Sequence, residues 1–315
     1  MNNNHLLFIH IPKTAGTSLR MAALSHYGEQ NTILDYGVHS AETSLCIQKH
    51  VYSNSDRYRF AQYLEECDTS FLSGHFHDMK YAPLFPARNV ISFIRDPYEQ
   101  VVSHYEHFVR LHGYENKFSD FVQEERFVNF QSKHLRSRPL EMFGLIGITE
   151  EYGASLDLLN WLYGLDLPVL KTNQNASKNR EKYKVDPEKL ELVKEHNAQD
   201  FEFYEKAKEL LGLRHKLHER KLPYTHAWIQ EVTSEYIQGW AFYENSDDMV
   251  SVDIYRGETV LATVSAADFR PGMLLFNPPR RGYIGFKYNF SPPFSSGCDI
   301  VCKVSTTGQV INRTK

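Results

Sequence analysis

The chain has 315 residues, of which 42% are hydrophobic, and carries a formal net charge of −4 at pH 7. This length allows one large domain or two ordinary ones, and the slightly acidic balance excludes a polybasic protein that binds nucleic acid. No apolar run approaches the ~20 residues of a membrane helix, and the run at 6–11 is too short for a signal peptide, so we expect a cytoplasmic protein without a membrane span.

Strands alternate with helices over the first two thirds of the chain. The apolar runs 6–11, 89–94 and 142–148 are typical of strands that are covered on both faces, and a helical pattern follows each. This alternation predicts an α/β domain with a mainly parallel sheet. A long helical pattern over 186–211 follows, and we expect Gly212 to end it.

The character of the sequence then changes. Residues 212–225 are basic and contain a proline, which predicts a linker. Short β-rich runs separated by turn signals follow, and they predict a β-sandwich. The predicted domains are therefore 1–211, a linker at 212–225, and an all-β domain at 226–315.

Residues 10–18 read His-Ile-Pro-Lys-Thr-Ala-Gly-Thr-Ser and lie between the first strand and its helix. A turn there can direct several backbone N–H groups at one anion, with the positive end of the helix dipole behind it. Gly16 permits close approach, Thr17 and Ser18 add hydroxyl donors, and Lys13 adds a mobile cation. The order of residues is not that of a Walker A loop. An ordinary turn with a solvated lysine is the alternative interpretation.

A second segment begins at Arg95, where a β-run ends. Asp96 fits the N-cap of the next helix, Pro97 fits its first position, and Glu99 completes a capping box. Arginine can bind a phosphate through two hydrogen bonds, and Ser103 in the second helical turn can add a hydroxyl donor. A capped amphipathic helix with an incidental arginine is the alternative.

Together the two segments resemble the PAPS-dependent sulfotransferases, where PAPS is 3'-phosphoadenosine-5'-phosphosulfate. FIHIPKTAGTSL resembles their 5'-phosphosulfate-binding loop, and RDPYEQVVSHY resembles their RDPxxRxxSxY segment, which binds the 3'-phosphate. The sequence is most similar to the branch of uronyl and heparan sulfate 2-O-sulfotransferases and their bacterial relatives. The resemblance covers roughly residues 6–211. Gln100 replaces the second arginine of the pattern.

The resemblance implies a P-loop-like fold, PAPS as the sulfuryl donor and PAP as the product. It implies that Lys13 lies near the bridging oxygen and acts in catalysis. The implied cofactor-binding residues are Lys13, Thr14, Ala15, Gly16, Thr17, Ser18, Arg95, Ser103 and Lys171. Lys171 follows a short predicted strand at 167–170, in a polar loop that closes over the nucleotide in related enzymes. We expect no metal requirement, because a lysine and backbone dipoles can stabilise the charge that develops on sulfuryl transfer.

Sulfuryl transfer also needs a base, since the acceptor hydroxyl loses its proton as it attacks, and histidine is the usual residue. In the branch that the sequence resembles, a Gly-His ahead of the RDP strand carries the base, and Gly74-His75 falls there. We therefore predict His75 as the catalytic base. His77 is the competitor, because both rings lie on one face if the segment is extended. Asp78 is adjacent and could orient either ring.

Basic side chains follow the second motif. Lys133 and Arg136, with Arg126 and Arg138 nearby, lie in a segment that lines the acceptor cleft in related enzymes. With His77, Lys133 and Arg136 are the predicted substrate-binding residues, and a solvated basic face is the alternative. We expect a carbohydrate hydroxyl as acceptor. The alternatives are a lipid, tyrosine or small-molecule hydroxyl, and a non-catalytic protein that binds a nucleotide or glycan. The sequence specifies no oligomeric state.

The C-terminal region resembles small β-sandwich modules of bacterial glycan-modifying enzymes. Its aromatic residues can stack on sugars or fill the core, and for Trp240 we favour the core. These residues are Trp240, Tyr243, Tyr283 and Tyr288. The four cysteines of the chain are too few for a disulfide scaffold, and Cys298 and Cys302 are too far apart on one predicted strand to be bridged. We expect four reduced cysteines.

Overall fold

The computed structural model describes residues 5–67, 70–170, 185–293 and 300–311. The chain forms two compact units. The first consists of Met1–Tyr81, Asn89–Arg138 and Leu145–Leu211, and the second of Ala82–Arg88, Pro139–Gly144 and Gly212–Lys315.

The first unit is built on five parallel strands in the order β2-β3-β1-β4-β5. The strands are β1 His5–Ile9, β2 Thr32–Asp35, β3 Ser70–Gly74, β4 Val90–Ile94 and β5 Leu145–Ile148. The α-helices are α1 Gly16–Tyr27, α2 Leu45–Ile47, α3 Arg57–Glu66, α4 Pro97–His112, α5 Phe118–Gln123, α6 Phe130–Leu135, α7 Tyr152–Tyr163, α8 Pro187–His196 and α9 Ala198–Glu219. A π-helical segment, Gln48–Ser53, follows α2 directly. The predicted α/β class with a mainly parallel sheet is confirmed.

The sheet explains the continuous apolar runs in the sequence. Every residue of β1, β3 and β4 is buried, because helices cover both faces of a parallel sheet. β1 lies between β3 and β4, so the loops that follow these three strands leave the same edge of the sheet side by side. In open parallel sheets this carboxyl edge is where ligands bind.

Three predicted elements differ from the structure. The long helix predicted for 186–211 is two helices, α8 and α9, which Asn197 separates with a non-helical backbone. Gly212 does not end α9, which continues to Glu219, so the first part of the predicted linker is helical. Residues 167–170 form no strand. The helix passes Gly212 because the helical pattern of its neighbours outweighs the ~1 kcal/mol that one glycine costs.

The second unit contains two antiparallel sheets of four strands each, in the orders β10-β11-β7-β6 and β13-β12-β8-β9. The strands are β6 Thr225–Val232, β7 Tyr236–Tyr243, β8 Ser251–Arg256, β9 Thr259–Ser265, β10 Asp268–Phe269, β11 Tyr283–Asn289, β12 Ile300–Val304 and β13 Val310–Ile311. One buried cluster joins side chains of both sheets, including Ile237, Ile254 and Cys302. The predicted all-β class of this region is confirmed.

The aromatic residues of the second unit separate into two groups. Trp240 is 0% exposed and Tyr243 is buried, so both pack in the interior and neither can stack on a sugar. Tyr288 is partly buried against the same cluster, whereas Tyr283 is 51% exposed. Of these four residues, Tyr283 is the most exposed.

The described cysteines Cys46, Cys67 and Cys302 form no disulfide bond, and Cys298 lies outside the described residues. Within the described ranges, no helix combines the length and the apolar character that crossing a membrane requires.

Candidate active site

The loop between β1 and α1 has the backbone of an anion-binding turn. Lys13 and Ala15 both adopt left-handed conformations, with φ of 71° and 63°. Such alternation turns successive N–H groups towards one point, and a non-glycine residue held this way costs about 1–2 kcal/mol. The Thr14 hydroxyl donates to the Ile11 carbonyl at 2.9 Å and so holds the loop together from within. Thr14 is therefore left to contribute its N–H, not its hydroxyl, to an anion.

Helix α1 starts directly behind this turn. The Ser18 N–H donates to the Ala15 carbonyl at 3.1 Å. The N–H groups of Gly16 and Thr17 precede it, and the first N–H groups of a helix have no partner within the helix. They and the helix dipole favour a negative charge at the loop.

Gly16 is required here by close packing. A Cβ on Gly16 would lie 2.0 Å from Cδ2 of His10, a buried ring whose Nδ1 is 2.8 Å from the Tyr36 hydroxyl. The glycine in the motif thus allows the helix start to approach the histidine that begins the loop.

Cationic groups converge on the loop from neighbouring elements. The Arg95 guanidinium, at the end of β4, donates to the Lys13 carbonyl at 3.4 Å and to the Glu99 carboxylate at 2.9 Å. Desolvation, followed by the positive charges of Arg110 and Arg95, lowers the pKa of Lys13. Cations that repel one another in this way are stabilised when an anion binds among them.

Helix α4 carries a polar face along the same loop. Gln100 is fully buried, and its Nε2 donates to the Pro12 carbonyl at 3.2 Å. Ser103, His104 and His107 follow at helical spacings of three, four and seven, so they share that face. Burial, with positive charge from His107 and Lys13, lowers the pKa of His104 to about 3. The predicted Ser103 thus lies on the face of α4 that meets the loop, and Gln100 supports the loop where the family pattern has an arginine.

The cap of α4 is partly as predicted. Asp96 accepts a hydrogen bond from the Glu99 N–H at 3.0 Å, and Pro97 occupies the first turn. The carboxylate of Glu99 bonds to Arg95 instead.

His75 follows β3 and contacts the loop directly. Its Nδ1 lies 2.6 Å from the His10 carbonyl oxygen, and its backbone N–H donates to the Asp35 carbonyl at 3.0 Å. The ring packs edge-on against Tyr36, with centroids 4.7 Å apart. β3 ends at Gly74, where a Cβ would lie 1.9 Å from the Asp35 carbonyl oxygen, so only glycine allows this approach.

These contacts determine the proton positions on His75. A carbonyl oxygen can only accept, so Nδ1 carries the proton and the lone pair of the neutral ring is on Nε2. Desolvation lowers the pKa of His75; the hydrogen bond to His10 raises it and the charge of Arg20 lowers it further. The residue is nevertheless exposed. The ring of His75 is therefore neutral and accessible at neutral pH.

His77 lies in a different environment. Its Nδ1 donates to the Lys133 carbonyl at 3.0 Å, and its ring stacks on His134 with centroids 4.6 Å apart. The strand ends before both histidines, so they do not share the strand face that the sequence suggested. Asp78 orients neither ring, because its carboxylate accepts from the Ser137 hydroxyl and pairs with Arg138 at 3.8 Å.

Three further predicted residues are Lys133, Arg136 and Lys171. The Lys133 ammonium donates to the Glu125 carbonyl at 2.7 Å, and Arg136 is exposed. Lys171 lies outside the described residues. In the described part of the chain, no group of three or more histidine, cysteine, aspartate or glutamate residues is arranged to hold a metal ion.

Two supporting features were not predicted. Asp35 is a buried carboxylate at the end of β2 that accepts from Lys80 at 2.6 Å, Tyr81 at 2.7 Å and Tyr52 at 2.8 Å. Burial opposes its ionisation, but these hydrogen bonds outweigh burial and lower the pKa of Asp35. The second feature is Gln131, which bonds to the backbone of Arg95. Neither has a local sequence signal, because all of these partners are distant in the chain.

No family model matches this sequence, and none of the curated proteins matches it. Among solved structures, mouse sulfotransferase SULT7A1 complexed with PAP matches at 10% identity and a TM-score of 0.37, over 64% of this chain and 66% of that chain. A sulfotransferase from Alicyclobacillus acidocaldarius matches at 15% identity and a TM-score of 0.39, over 67% and 96%. Retinol dehydratase in complex with androsterone and inactive cofactor PAP matches at 14% identity and a TM-score of 0.32, over 64% and 66%.

Proposed function

We propose that this chain is a PAPS-dependent sulfotransferase that transfers a sulfuryl group to a hydroxyl, with His75 as the base. The observation that carries the proposal is the contact between His75 and residues 10–18 between β1 and α1, the anion loop. The neutral ring of His75 has its lone pair on Nε2 and donates through Nδ1 to the carbonyl of His10, the residue that begins the loop. The same loop contains left-handed backbone and Lys13, and it leads into the start of α1. This combination of an anion site and an adjacent base suits attack of a hydroxyl on a bound phosphosulfate.

The residues present fit the donor. The loop offers N–H groups and Lys13 to the 5'-phosphosulfate, and Arg95 with Ser103 on α4 offers a guanidinium and a hydroxyl to the 3'-phosphate. The pKa of Lys13 is lowered first by desolvation and then by the positive charges of Arg110 and Arg95, and a bound anion would be attracted by these charges. PAPS supplies the activated sulfuryl group.

Two residues of this chain, His75 and Lys13, take part in the transfer. Nε2 of His75 takes the proton of the acceptor hydroxyl as its oxygen bonds to sulfur. Lys13 stabilises the charge on the 5'-phosphate oxygen as the bond from that oxygen to sulfur breaks, and PAP leaves with the electron pair. His75 returns its proton to water.

For the acceptor we propose a carbohydrate hydroxyl. The support is the resemblance to the 2-O-sulfotransferase branch, together with the basic side chains of Lys133, which is partly exposed, and Arg136, which is exposed. His77 donates to the Lys133 carbonyl at 3.0 Å. We further propose that residues 1–211 form the PAPS-binding domain and that 226–315 form an accessory domain.

The test is transfer of radiolabelled sulfate from PAPS to a panel of glycans, lipids and phenols, with wild type beside His75→Ala. Label in a glycan that disappears in the variant supports the reaction, the acceptor and the base. Label only in a lipid or phenol overturns the carbohydrate acceptor and leaves the reaction. A chelator that abolished transfer would overturn the metal-free scheme, and the absence of transfer despite tight PAP binding would favour a non-catalytic nucleotide-binding protein.

A further inference from the structure

The side-chain amide of Gln131 makes two hydrogen bonds to the backbone of Arg95. Its Oε1 accepts from the Arg95 N–H at 2.8 Å, and its Nε2 donates to the Arg95 carbonyl at 2.8 Å. Gln131 is 1% exposed, so water does not compete for these bonds. One amide thus satisfies both backbone groups of Arg95, and we call this arrangement the Gln131 clamp.

The clamp acts where the chain changes direction. Arg95 is the first residue after β4, and Asp96 caps α4 directly after it. Buried backbone N–H and C=O groups need hydrogen-bond partners. A residue between a strand and a helix lies outside the regular hydrogen bonds of both, so its partners have to come from elsewhere. By fixing the peptide groups on both sides of the Arg95 Cα, the clamp sets the direction of its side chain towards Glu99 and the Lys13 carbonyl.

Gln131 is itself held from helix α9. The Asp200 carboxylate, 1% exposed, accepts from the backbone N–H groups of Gln131 at 3.0 Å and Ser132 at 2.8 Å. Asn197 and Asn129 add bonds beside it: Asn129 N–H donates to Asn197 at 2.7 Å, and Asp200 N–H donates to Asn129 at 3.2 Å. A charged acceptor on two N–H groups is a strong anchor for the start of α6.

We propose that Gln131 is a positioning residue for Arg95, with Asp200 holding Gln131 in place. That the guanidinium is placed for the 3'-phosphate of the nucleotide rests on the proposed function. The two hydrogen bonds of the clamp do not depend on that function. Among uncharged side chains with this reach, only an amide offers one acceptor and one donor at this spacing, which accounts for a glutamine at this position.

The first measurement is PAP binding by calorimetry to wild type, Gln131→Met, Arg95→Ala and the double variant. Methionine keeps the length and volume of glutamine but makes neither bond. We expect Gln131→Met to bind PAP about 10-fold more weakly. In the Arg95→Ala background the same change should cause no further loss, since the clamp acts through that side chain. Gln123→Met, the same change at an exposed position on α5, is the matched control.

A second measurement does not depend on the nucleotide. Hydrogen exchange of the Arg95 amide reports the bond to Gln131 directly, and we expect it to accelerate by at least about 10-fold in Gln131→Met without a comparable change in α1. Gln131→Glu adds a second test. The carboxylate can accept from the Arg95 N–H but cannot donate to the Arg95 carbonyl, so we expect this variant also to bind PAP more weakly than wild type at neutral pH.

The outcomes separate the two proposals. Equal PAP binding by wild type and Gln131→Met, or a loss that persists in the Arg95→Ala background, overturns the positioning role and leaves the sulfotransferase proposal intact. Unchanged exchange at Arg95 overturns the clamp whatever the nucleotide does. If wild type fails to bind PAP while exchange at Arg95 accelerates in Gln131→Met, the clamp stands and the proposed function is wrong.

Discussion

Nδ1 of His75 lies 2.6 Å from the carbonyl oxygen of His10, three residues before Lys13. The candidate base is therefore tied to the same stretch of backbone that forms the anion loop. The bond leaves Nε2 as the only ring atom that can accept a proton. It also means that the position of the His75 ring depends on the position of the loop.

Replacing His75 should separate catalysis from binding. We expect His75→Ala to lower kcat by about 10²–10⁴-fold, since that is the usual contribution of a positioned acid or base. PAP affinity should change little, because the ring donates to a carbonyl and not to the anion. His26→Ala, at the exposed end of α1, is the control. If His77→Ala abolished transfer while His75→Ala remained active, the assignment of the base would be wrong.

The pH dependence follows from the lowered pKa of His75. Transfer requires the neutral ring, so activity should be complete above 6.5, the ordinary value for histidine, and should fall as pH drops through the lowered pKa. The acid limb of kcat/KM should therefore have its midpoint below 6.5. Arg20→Gln should move this midpoint upwards, because the charge of Arg20 lowers the pKa of His75. A midpoint above 6.5 in wild type would contradict the described environment.

Gly16 should tolerate no side chain. In Gly16→Ala the new Cβ would fall 2.0 Å from the ring of His10, so the ring or the helix start has to move. We expect PAP affinity to fall by at least about 10-fold, measured by calorimetry. Gly153→Ala is the matched control, because that glycine lies in α7 with nothing within 4 Å of a new Cβ. Equal affinities for the two variants would exclude the close approach as a requirement.

Arg95 should distinguish nucleotides by their 3'-phosphate. Hydrogen bonds to charged groups contribute about 1.5–3 kcal/mol, so Arg95→Ala should weaken PAP binding by roughly 10–100-fold. Binding of adenosine 5'-phosphate, which has no 3'-phosphate, should be nearly unchanged. Arg57→Ala removes the same charge from the exposed face of α3 and serves as control. A similar loss for both nucleotides would place the guanidinium at the 5' end instead.

Features that depend only on neighbouring residues could be predicted from the sequence. Buried parallel strands need continuous apolar runs, so β1, β4 and β5 were visible in the sequence. A helix needs an N-cap, so Asp96 and Pro97 marked the start of α4. The anion loop is a single turn whose lysine, glycine and hydroxyls are adjacent in the chain. His75 was found only through its position between two motifs.

Hydrogen bonds between residues far apart in the chain became visible only in the tertiary structure. His10 and His75 are 65 positions apart, and their contact alone fixes which nitrogen accepts a proton. Gln131 and Arg95 are 36 positions apart, so no local pattern could show that a glutamine completes the end of β4. Hydrogen bonds of this kind depend on distances between elements. Sequence patterns report mainly the preferences within one element, and the packing of the sheet brings such partners together.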